Sequence, residues 1–460
     1  MIKVYLDWNV ISQMKNHNCG PLLKILANKQ KFLIPYSTSH IGDIFSSYSN
    51  SQEQIIKIDE DLDYISCLTD NLCIFNSKNE IVIEYYDPRE LFQQRIDDKD
   101  LLNENFLDTL QGYYSENEST RAVGNHLIET LKRLPLNDVF KTSFENEESA
   151  KHLERLFPGL KENQTMEGFF KGFLRMFKDL NEGDRYKELR QIVQTGTGIK
   201  RDKIFDAPNP YDLIDKSSMT FESQVSNQKK YSPEWFDDIT KEYLKLDMFG
   251  YQEDRIKIKN GRKQTFKNTT EDAFHTAFAS TCNFYITNDI RSYNKARHVY
   301  HKLNLNTLVL TVEEFIDYYN NFLTIDEAYL NLNIPLELLK TNDYVESKIE
   351  GGIMRQYVVP FYFFNFFNRV IFLQLPEKNE TIFLLSKVSP TNNKTTFRFE
   401  VINLVSLMNN LLGNDKHNIG EATTTEFEEG IWKGREWELD NVTLRLVEIN
   451  GYIQLYYDFK

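Results

Sequence analysis

The chain opens with a short apolar segment, Ile2 to Leu6, whose composition predicts a buried β-strand. Asp7 follows this strand directly, and apolar residues then recur at helical spacing at Val10, Ile11 and Met14. The pattern therefore predicts a strand, an acidic residue at its carboxyl end and an amphipathic helix.

The same arrangement recurs in the next fifty residues. A helix with Pro21 near its first position leads to a strand that we predict over Phe32 to Tyr36. Ser37 or Ser39 can then cap a further helix. Asp43 lies in the opening turns of that helix, so a second acidic residue is predicted close to a strand end.

A third unit of this kind lies far along the chain. Apolar residues recur at helical spacing between Ala273 and Thr281, and Asp272 lies in the first turn of the predicted helix. The run Phe284 to Ile286 predicts a short buried strand that leads to Asp289. Asp272 also follows Thr269 by three residues, which is the spacing of a capping box, so a purely structural role for Asp272 is open.

We expect these four aspartates, Asp7, Asp43, Asp272 and Asp289, at one rim of a parallel sheet, where ligands of open α/β folds bind. Crowded carboxylates repel one another unless a cation lies among them. Mg²⁺ or Mn²⁺ suits such a site, since both prefer oxygen ligands and accept phosphate oxygens. These ions activate water for phosphodiester hydrolysis, although each aspartate taken alone could be a helix cap or turn residue.

At these positions the chain resembles the PIN-domain family of metal-dependent nucleases. The motifs that carry the resemblance are LDWN at 6–9, YSTSHIGDI at 36–44, EDAFHTAFA at 271–279 and ITND at 286–289. The resemblance implies a PIN-like fold, the four aspartates as metal ligands, Asn9 and Thr287 as supporting polar groups, and RNA as the substrate. The chain departs from the family at Asp43, where a glutamate is usual, and in the long separation between Asp43 and Asp272.

Two histidines fall close to the predicted ligands. His40 and His275 each lie three residues from one of them, on a neighbouring helix face. We interpret both as hydrogen-bonded packing groups, because a site for a hard cation has little use for imidazole.

The whole chain is predicted as an α/β protein with a large helical insertion and a C-terminal β-rich α+β domain. Its predicted divisions are a PIN-like nuclease core at 1–50 and 251–320, a mainly helical insertion at 51–250 and a β-rich domain at 321–460. The insertion is expected to contain a loop over Thr195 to Ser218. In the last domain, the segment Thr396 to Val401 is predicted as a strand, and the many phenylalanines near residue 365 indicate sheet packing rather than base stacking.

Charge limits how the protein can meet nucleic acid. With 54 basic and 68 acidic residues the formal net charge is −14, so binding needs a local basic patch. A predicted basic hairpin just before Asp272 offers one, and its candidate phosphate contacts are Lys257, Lys259, Arg262 and Lys263. Arg291, with Lys295 and Arg297, offers a second, and the alternative for both groups is a solvated surface.

We therefore expect an endoribonuclease, with a role in toxicity, defence or RNA turnover in keeping with such proteins. The alternatives are a catalytically silent PIN-like scaffold that binds protein partners, and a DNA-directed nuclease. Protein partners or a homo-oligomer could form through the insertion or the C-terminal domain, and the sequence does not choose between one metal ion and two. A start directly in a strand and the lack of a long apolar run favour a cytoplasmic protein with no membrane contact.

Overall fold

The computed structural model groups the chain in two compact units. One contains residues 1–87, 227–243 and 273–460, and the other contains residues 88–226 and 244–272. The predicted three-part division stays a prediction. The residues that the structure describes are 1–16, 18–49, 51–77, 79–97, 126, 128–130, 132–136, 142, 144–145, 147–182, 185–216, 232–253, 266–325, 331, 333–341, 343–376, 380–388, 397–428 and 432–459.

Within the described residues among the first 87, there are five strands and four helices. The strands are β1 (Ile2–Leu6), β2 (Phe32–Leu33), β3 (Tyr36–Ser37), β4 (Leu72–Ser77) and β5 (Glu80–Tyr85). The helices are Trp8–Lys15, Gly20–Leu26, Thr38–Ser46 and Gln52–Thr69. The predicted first strand and the helix that buries Val10, Ile11 and Met14 are confirmed.

The middle of the chain is mainly helical in the parts that the structure describes, with an isolated β-bridge between Pro135 and Thr165. Its helices are Pro88–Asp97, Glu147–Leu156, Met166–Glu182, Arg185–Thr197, Arg201–Ile204, Tyr211–Ile214, Glu234–Phe249 and Phe266–Ala279. The loop predicted over Thr195 to Ser218 is wrong in part, because two single-turn helices lie inside it. They form because they bury Ile204, Tyr211 and Ile214.

The remainder of the chain completes one sheet and builds another. Strands β6 (Phe284–Ile286) and β7 (Leu308–Leu310) are followed by β8 (Val345–Ile349), β9 (Gly352–Phe363), β10 (Phe367–Leu375), β11 (Glu380–Ser386), β12 (Arg435–Glu438), β13 (Val442–Ile449) and β14 (Tyr452–Phe459). The helical segments are Ile290–Lys302, Val312–Tyr318, a π-helical turn at Tyr319–Leu323, Ile334–Leu338, Phe397–Leu412 and Thr424–Glu428.

A parallel four-stranded sheet flanked by helices carries the N-terminal strand. Its order is β2-β1-β6-β7, and all three pairings are parallel. Every residue of β1 is buried, as expected for a strand that is covered on both faces. The carboxyl ends of β1, β6 and β7 therefore meet at one edge, and the predicted α/β class is confirmed at this level.

The predicted strand over Phe32 to Tyr36 is wrong as a single element. Only Phe32–Leu33 pairs with β1, whereas Tyr36–Ser37 pairs with β4 in a separate sheet of order β3-β4-β5. Pro35 lies between the two pieces and has no backbone N–H for a sheet hydrogen bond, so the chain changes sheets there.

The C-terminal sheet has seven antiparallel strands in the order β12-β13-β14-β11-β10-β9-β8. The phenylalanines near residue 365 are at most 1% exposed at Phe363, Phe364, Phe366 and Phe367, so the predicted packing role is confirmed. The strand predicted over Thr396 to Val401 is wrong, since this segment begins the helix Phe397–Leu412. Its fully buried residues follow helical spacing and pack in the core of the sheet: Val401, Leu404, Val405 and Met408.

A buried ion cluster joins this helix to β1. Glu400 accepts from the ammonium groups of Lys3, at 3.2 Å, and Lys387, at 2.5 Å, and all three side chains are at most 3% exposed. Burial alone would raise the pKa of Glu400, but the charges of Lys3 and Lys387 outweigh it and lower that pKa to about 2. The strand that leads to Asp7 is thus bonded to the C-terminal part of the chain.

Replacing Glu400 by glutamine should destabilise the fold by about 3–5 kcal/mol at neutral pH, because it leaves two buried ammonium groups without this carboxylate. The pKa of Glu400 is lowered from 4.5 to about 2, so its contribution is full above pH 4.5 and is lost as the pH falls toward 2. Denaturant unfolding of wild type and Glu400→Gln at a series of pH values should show their difference shrinking over this window.

The matched control is Glu436→Gln, since Glu436 pairs with Lys416 on the surface of the same region. A surface pair of this kind contributes about 0–1 kcal/mol. Equal stability of Glu400→Gln and wild type at pH 7 would show that the buried cluster does not stabilise the fold.

Candidate metal centre

Parallel pairing of β1 with β6 creates the site. Leu6 lies opposite Ile286, and the backbone N–H of Asp7 donates to the Ile286 carbonyl at 2.9 Å. Asp7 and Thr287 therefore follow adjacent strands at the same sheet edge, although 280 positions separate them.

The Asp7 carboxylate is 5% exposed and accepts three hydrogen bonds. Oδ1 accepts from the Trp8 backbone N–H at 2.8 Å, and Oδ2 accepts from Asn9 Nδ2 and Thr287 Oγ1, both at 2.6 Å. Asn9 Nδ2 also lies 3.3 Å from Thr287 Oγ1. Both predicted supporting residues thus contact the first predicted ligand.

The electrostatic surroundings of Asp7 favour a positive charge. Burial raises the pKa of this carboxyl above its ordinary value, His275 and the Thr287 hydrogen bond lower it, and the charges of Asp43 and Asp289 raise it. The net direction is upward. The ionised form of Asp7 is therefore electrostatically disfavoured at this position, and a bound cation would stabilise it.

Asp43 lies on the helix Thr38–Ser46, which Ser37 caps through a hydrogen bond from the Ser39 N–H. The side chain of Asp43 is 25% exposed, and its Oδ2 lies 2.8 Å from Nε2 of the fully buried His275. Among the residues described, no hydrogen bond reaches Oδ1. One oxygen of Asp43 is therefore anchored and the other is free to bind a ligand.

Asp7, Asp43 and His275 form the compact part of the centre. Each offers one potential ligand atom, and these three atoms lie within 4.8 Å of one another. This grouping makes the three residues candidates for holding a metal ion. Carboxylate oxygens are the ligands that Mg²⁺ and Mn²⁺ prefer, and the binding of either ion here stays a prediction.

Asp289 lies at the exposed edge of the same region and caps the helix Ile290–Lys302. Its Oδ1 accepts from the backbone N–H groups of Arg291, at 2.8 Å, and Ser292, at 3.2 Å. No described residue donates to Oδ2. Asp289 is close enough to raise the pKa of Asp7, and its role as a metal ligand stays a prediction.

Asp272 is half-buried on the helix Phe266–Ala279, one turn before His275. It is the last residue of the second compact unit, and its role as a fourth ligand stays a prediction. The capping-box alternative is wrong, because the helix begins at Phe266 and Thr269 lies inside it.

Most of the predicted phosphate contacts fall outside the described residues, namely Lys257, Lys259, Arg262 and Lys263. Arg291 is half-exposed directly after Asp289 and its own phosphate contact stays a prediction. Lys295 is fully buried, with its ammonium 5.2 Å from the centre of the Tyr243 ring. The expectation that Lys295 is a surface residue is therefore wrong.

Sequence reasoning missed what the two histidines connect. Both are buried and hydrogen-bonded as expected, and His40 Nε2 reaches the Leu6 carbonyl at 2.8 Å. The sequence did not predict that His275 contacts Asp43 through one ring nitrogen and the Tyr5 hydroxyl through the other. A tyrosine within a wholly buried strand was the available signal, since a buried hydroxyl needs a partner.

Comparisons with protein-family models, with curated proteins and with solved structures found no match to this chain. Within the described parts of the chain, no helix is both long enough and apolar enough to cross a membrane.

If this centre binds a divalent cation, Mn²⁺ should raise the melting temperature of the wild-type protein, because a ligand of the folded state stabilises it. At a concentration 100 times the dissociation constant the gain is about 2.7 kcal/mol. Asp7→Asn should lose this gain, since the amide keeps the shape of the side chain and removes its charge. Thermal unfolding with Mn²⁺, Mg²⁺ or a chelator measures the effect.

Asp61→Asn is the control, because Asp61 pairs with Lys15 away from the strand ends. It should respond to Mn²⁺ as the wild type does. The same Mn²⁺-dependent gain in Asp7→Asn and in wild type would place the cation elsewhere.

Proposed function

We propose that this protein is a PIN-like, metal-dependent endonuclease that hydrolyses phosphodiester bonds, with RNA as its substrate. The observation that carries the proposal is Asp7. Asp7 is a buried carboxylate at the edge where the carboxyl ends of parallel strands lie side by side. Three hydrogen-bond donors hold it in place, and the charges of Asp43 and Asp289 raise its pKa. A bound cation would offset the repulsion among these carboxylates, which their separate roles as helix caps do not.

Each residue has a definable task in this proposal. Asn9 and Thr287 hold the Asp7 carboxylate in one orientation, and Asp43 and Asp289 each offer an oxygen that no described residue hydrogen-bonds. Asp272 is the fourth proposed ligand. When bound, Mg²⁺ or Mn²⁺ would neutralise phosphate charge and make an attacking water more acidic.

The substrate class rests on the resemblance to PIN-domain nucleases, and on the basic segment before Asp272 as a proposed contact to the phosphate backbone. The helical segments between the two parts of the proposed nuclease core form its insertion, and the C-terminal sheet region is a candidate site for protein partners. An RNA-directed role in toxicity, defence or turnover is part of the proposal.

The test is cleavage of labelled single-stranded RNA, structured RNA and single-stranded DNA with Mg²⁺, Mn²⁺ or a chelator. Asp7→Asn and Asp43→Asn should each reduce metal-dependent RNA cleavage by at least about 100-fold, because loss of even an outer partner of a metal ligand costs about 10–100-fold. Asp61→Asn, which removes a partly buried pair with Lys15, should cleave as the wild type does.

The outcomes separate the three candidate functions. Metal-dependent cleavage of DNA alone would replace RNA by DNA as the substrate. No cleavage of any substrate by a protein that binds no Mn²⁺ would overturn the enzyme and favour a scaffold in which Asp7 and Asp289 are helix caps.

A further inference from the structure

A continuous chain of buried hydrogen bonds leads away from Asp43. His275 Nε2 lies 2.8 Å from Asp43 Oδ2, His275 Nδ1 lies 2.7 Å from the Tyr5 hydroxyl, and that hydroxyl lies 2.6 Å from Ser37 Oγ. His275, Tyr5 and Ser37 are all fully buried. Of these four residues, only Asp43, which ends this series of hydrogen bonds, is partly exposed to solvent.

The chemistry of the groups sets the direction of these bonds. An ionised carboxylate can only accept, so His275 Nε2 carries the proton and donates to Asp43. When His275 is neutral, Nδ1 has a lone pair and accepts from the Tyr5 hydroxyl, whose oxygen accepts in turn from Ser37; when His275 is protonated, Nδ1 donates to Tyr5 instead, and in both states Nε2 donates to Asp43. Burial raises the pKa of Tyr5 well above its ordinary value, so this hydroxyl keeps its proton.

Neighbouring rings hold the His275 imidazole in place. The His40 ring packs against it at right angles, with ring centres 4.7 Å apart, and the Tyr5 ring packs edge-on at 5.8 Å. His40 is itself fixed between the Leu6 carbonyl and the Ser37 N–H, at 2.8 and 2.9 Å. The donor that faces Asp43 therefore has one orientation.

We propose that His275, held by Tyr5, is a positioning residue that fixes the Asp43 carboxylate toward Asp7, and this inference rests on the proposed metal site. Asp43 needs such a support because its side chain is short, a quarter exposed and bonded by the described residues through one oxygen only. Without His275 the carboxylate can rotate into water. His275 then acts on the cation through Asp43, and not as a ligand of its own.

The experiment measures Mn²⁺ binding to the full chain by calorimetry. His275→Ala should weaken binding by about 10–100-fold, which is the usual effect of losing a partner behind a metal ligand. His275→Gln should recover most of the affinity, because its amide can place a donor where Nε2 lies. Tyr5→Phe should weaken binding in the same direction and by less, since it removes only the group that holds the ring.

Tyr300→Phe is the matched control. Tyr300 is also buried, and its hydroxyl donates to the Thr276 carbonyl, on the helix that carries His275, without contacting Asp43. It should lose a similar amount of stability to Tyr5→Phe and keep wild-type Mn²⁺ affinity. If both tyrosine variants weaken Mn²⁺ binding equally, the effect of Tyr5→Phe is a general loss of stability, and the inference is overturned.

Two further outcomes distinguish the inference from the proposed function. Wild-type affinity in His275→Ala would overturn the positioning role and leave the metal site intact, whereas no Mn²⁺ binding by the wild type would overturn both. Electron spin-echo spectra of bound Mn²⁺ should show no directly coordinated nitrogen. A strong nitrogen coupling that disappears in His275→Gln would make His275 a ligand and would also overturn the positioning role.

Discussion

The parallel pairing of β1 with β6 is the constraint on which the candidate centre depends. It places Leu6 opposite Ile286, so the residues that follow the two strands must share one sheet edge. The hydrogen bond from the Asp7 N–H to the Ile286 carbonyl extends this pairing to the acidic residue itself. The Thr287 hydroxyl then reaches the Asp7 carboxylate, and a slip of one residue in this register would turn the side chains to the other face.

The same strand is bonded to the rest of its unit through its other side chains. Lys3 pairs with Glu400 on a helix of the C-terminal region, and Tyr5 joins His275 to Ser37. Lys3, Tyr5 and Asp7 are alternate residues, so three buried polar groups share one face of a strand that is otherwise apolar. Buried polar groups of this kind stabilise a fold only when each finds a partner, and here each of the three has at least one partner from a distant segment. Through Lys3 and Glu400, the strand that precedes Asp7 is bonded to the C-terminal region.

The local sequence pattern predicted an element correctly where a single hydrophobic pattern runs through the whole element. It predicted β1, β6 and the helix that follows β1, because short apolar runs and helical spacing are local properties. The pattern gave a wrong prediction at Pro35, where one short apolar segment is divided between two sheets. It was also wrong at Phe397 to Val401, where an aromatic and β-branched segment belongs to the buried face of a helix. In both cases tertiary packing outweighed local propensity.

The sequence by itself determined which groups are acidic, which strands precede them and therefore that Asp7 stands at a sheet edge. Tertiary structure alone decided which distant groups meet there: that the Thr287 hydroxyl reaches Asp7, and that His275 faces Asp43. The reason is physical, since strand and helix periods fix the face on which a side chain lies but carry no information about a partner more than two hundred residues away. Thr287 and Asp7 come into contact only when β1 and β6 have paired.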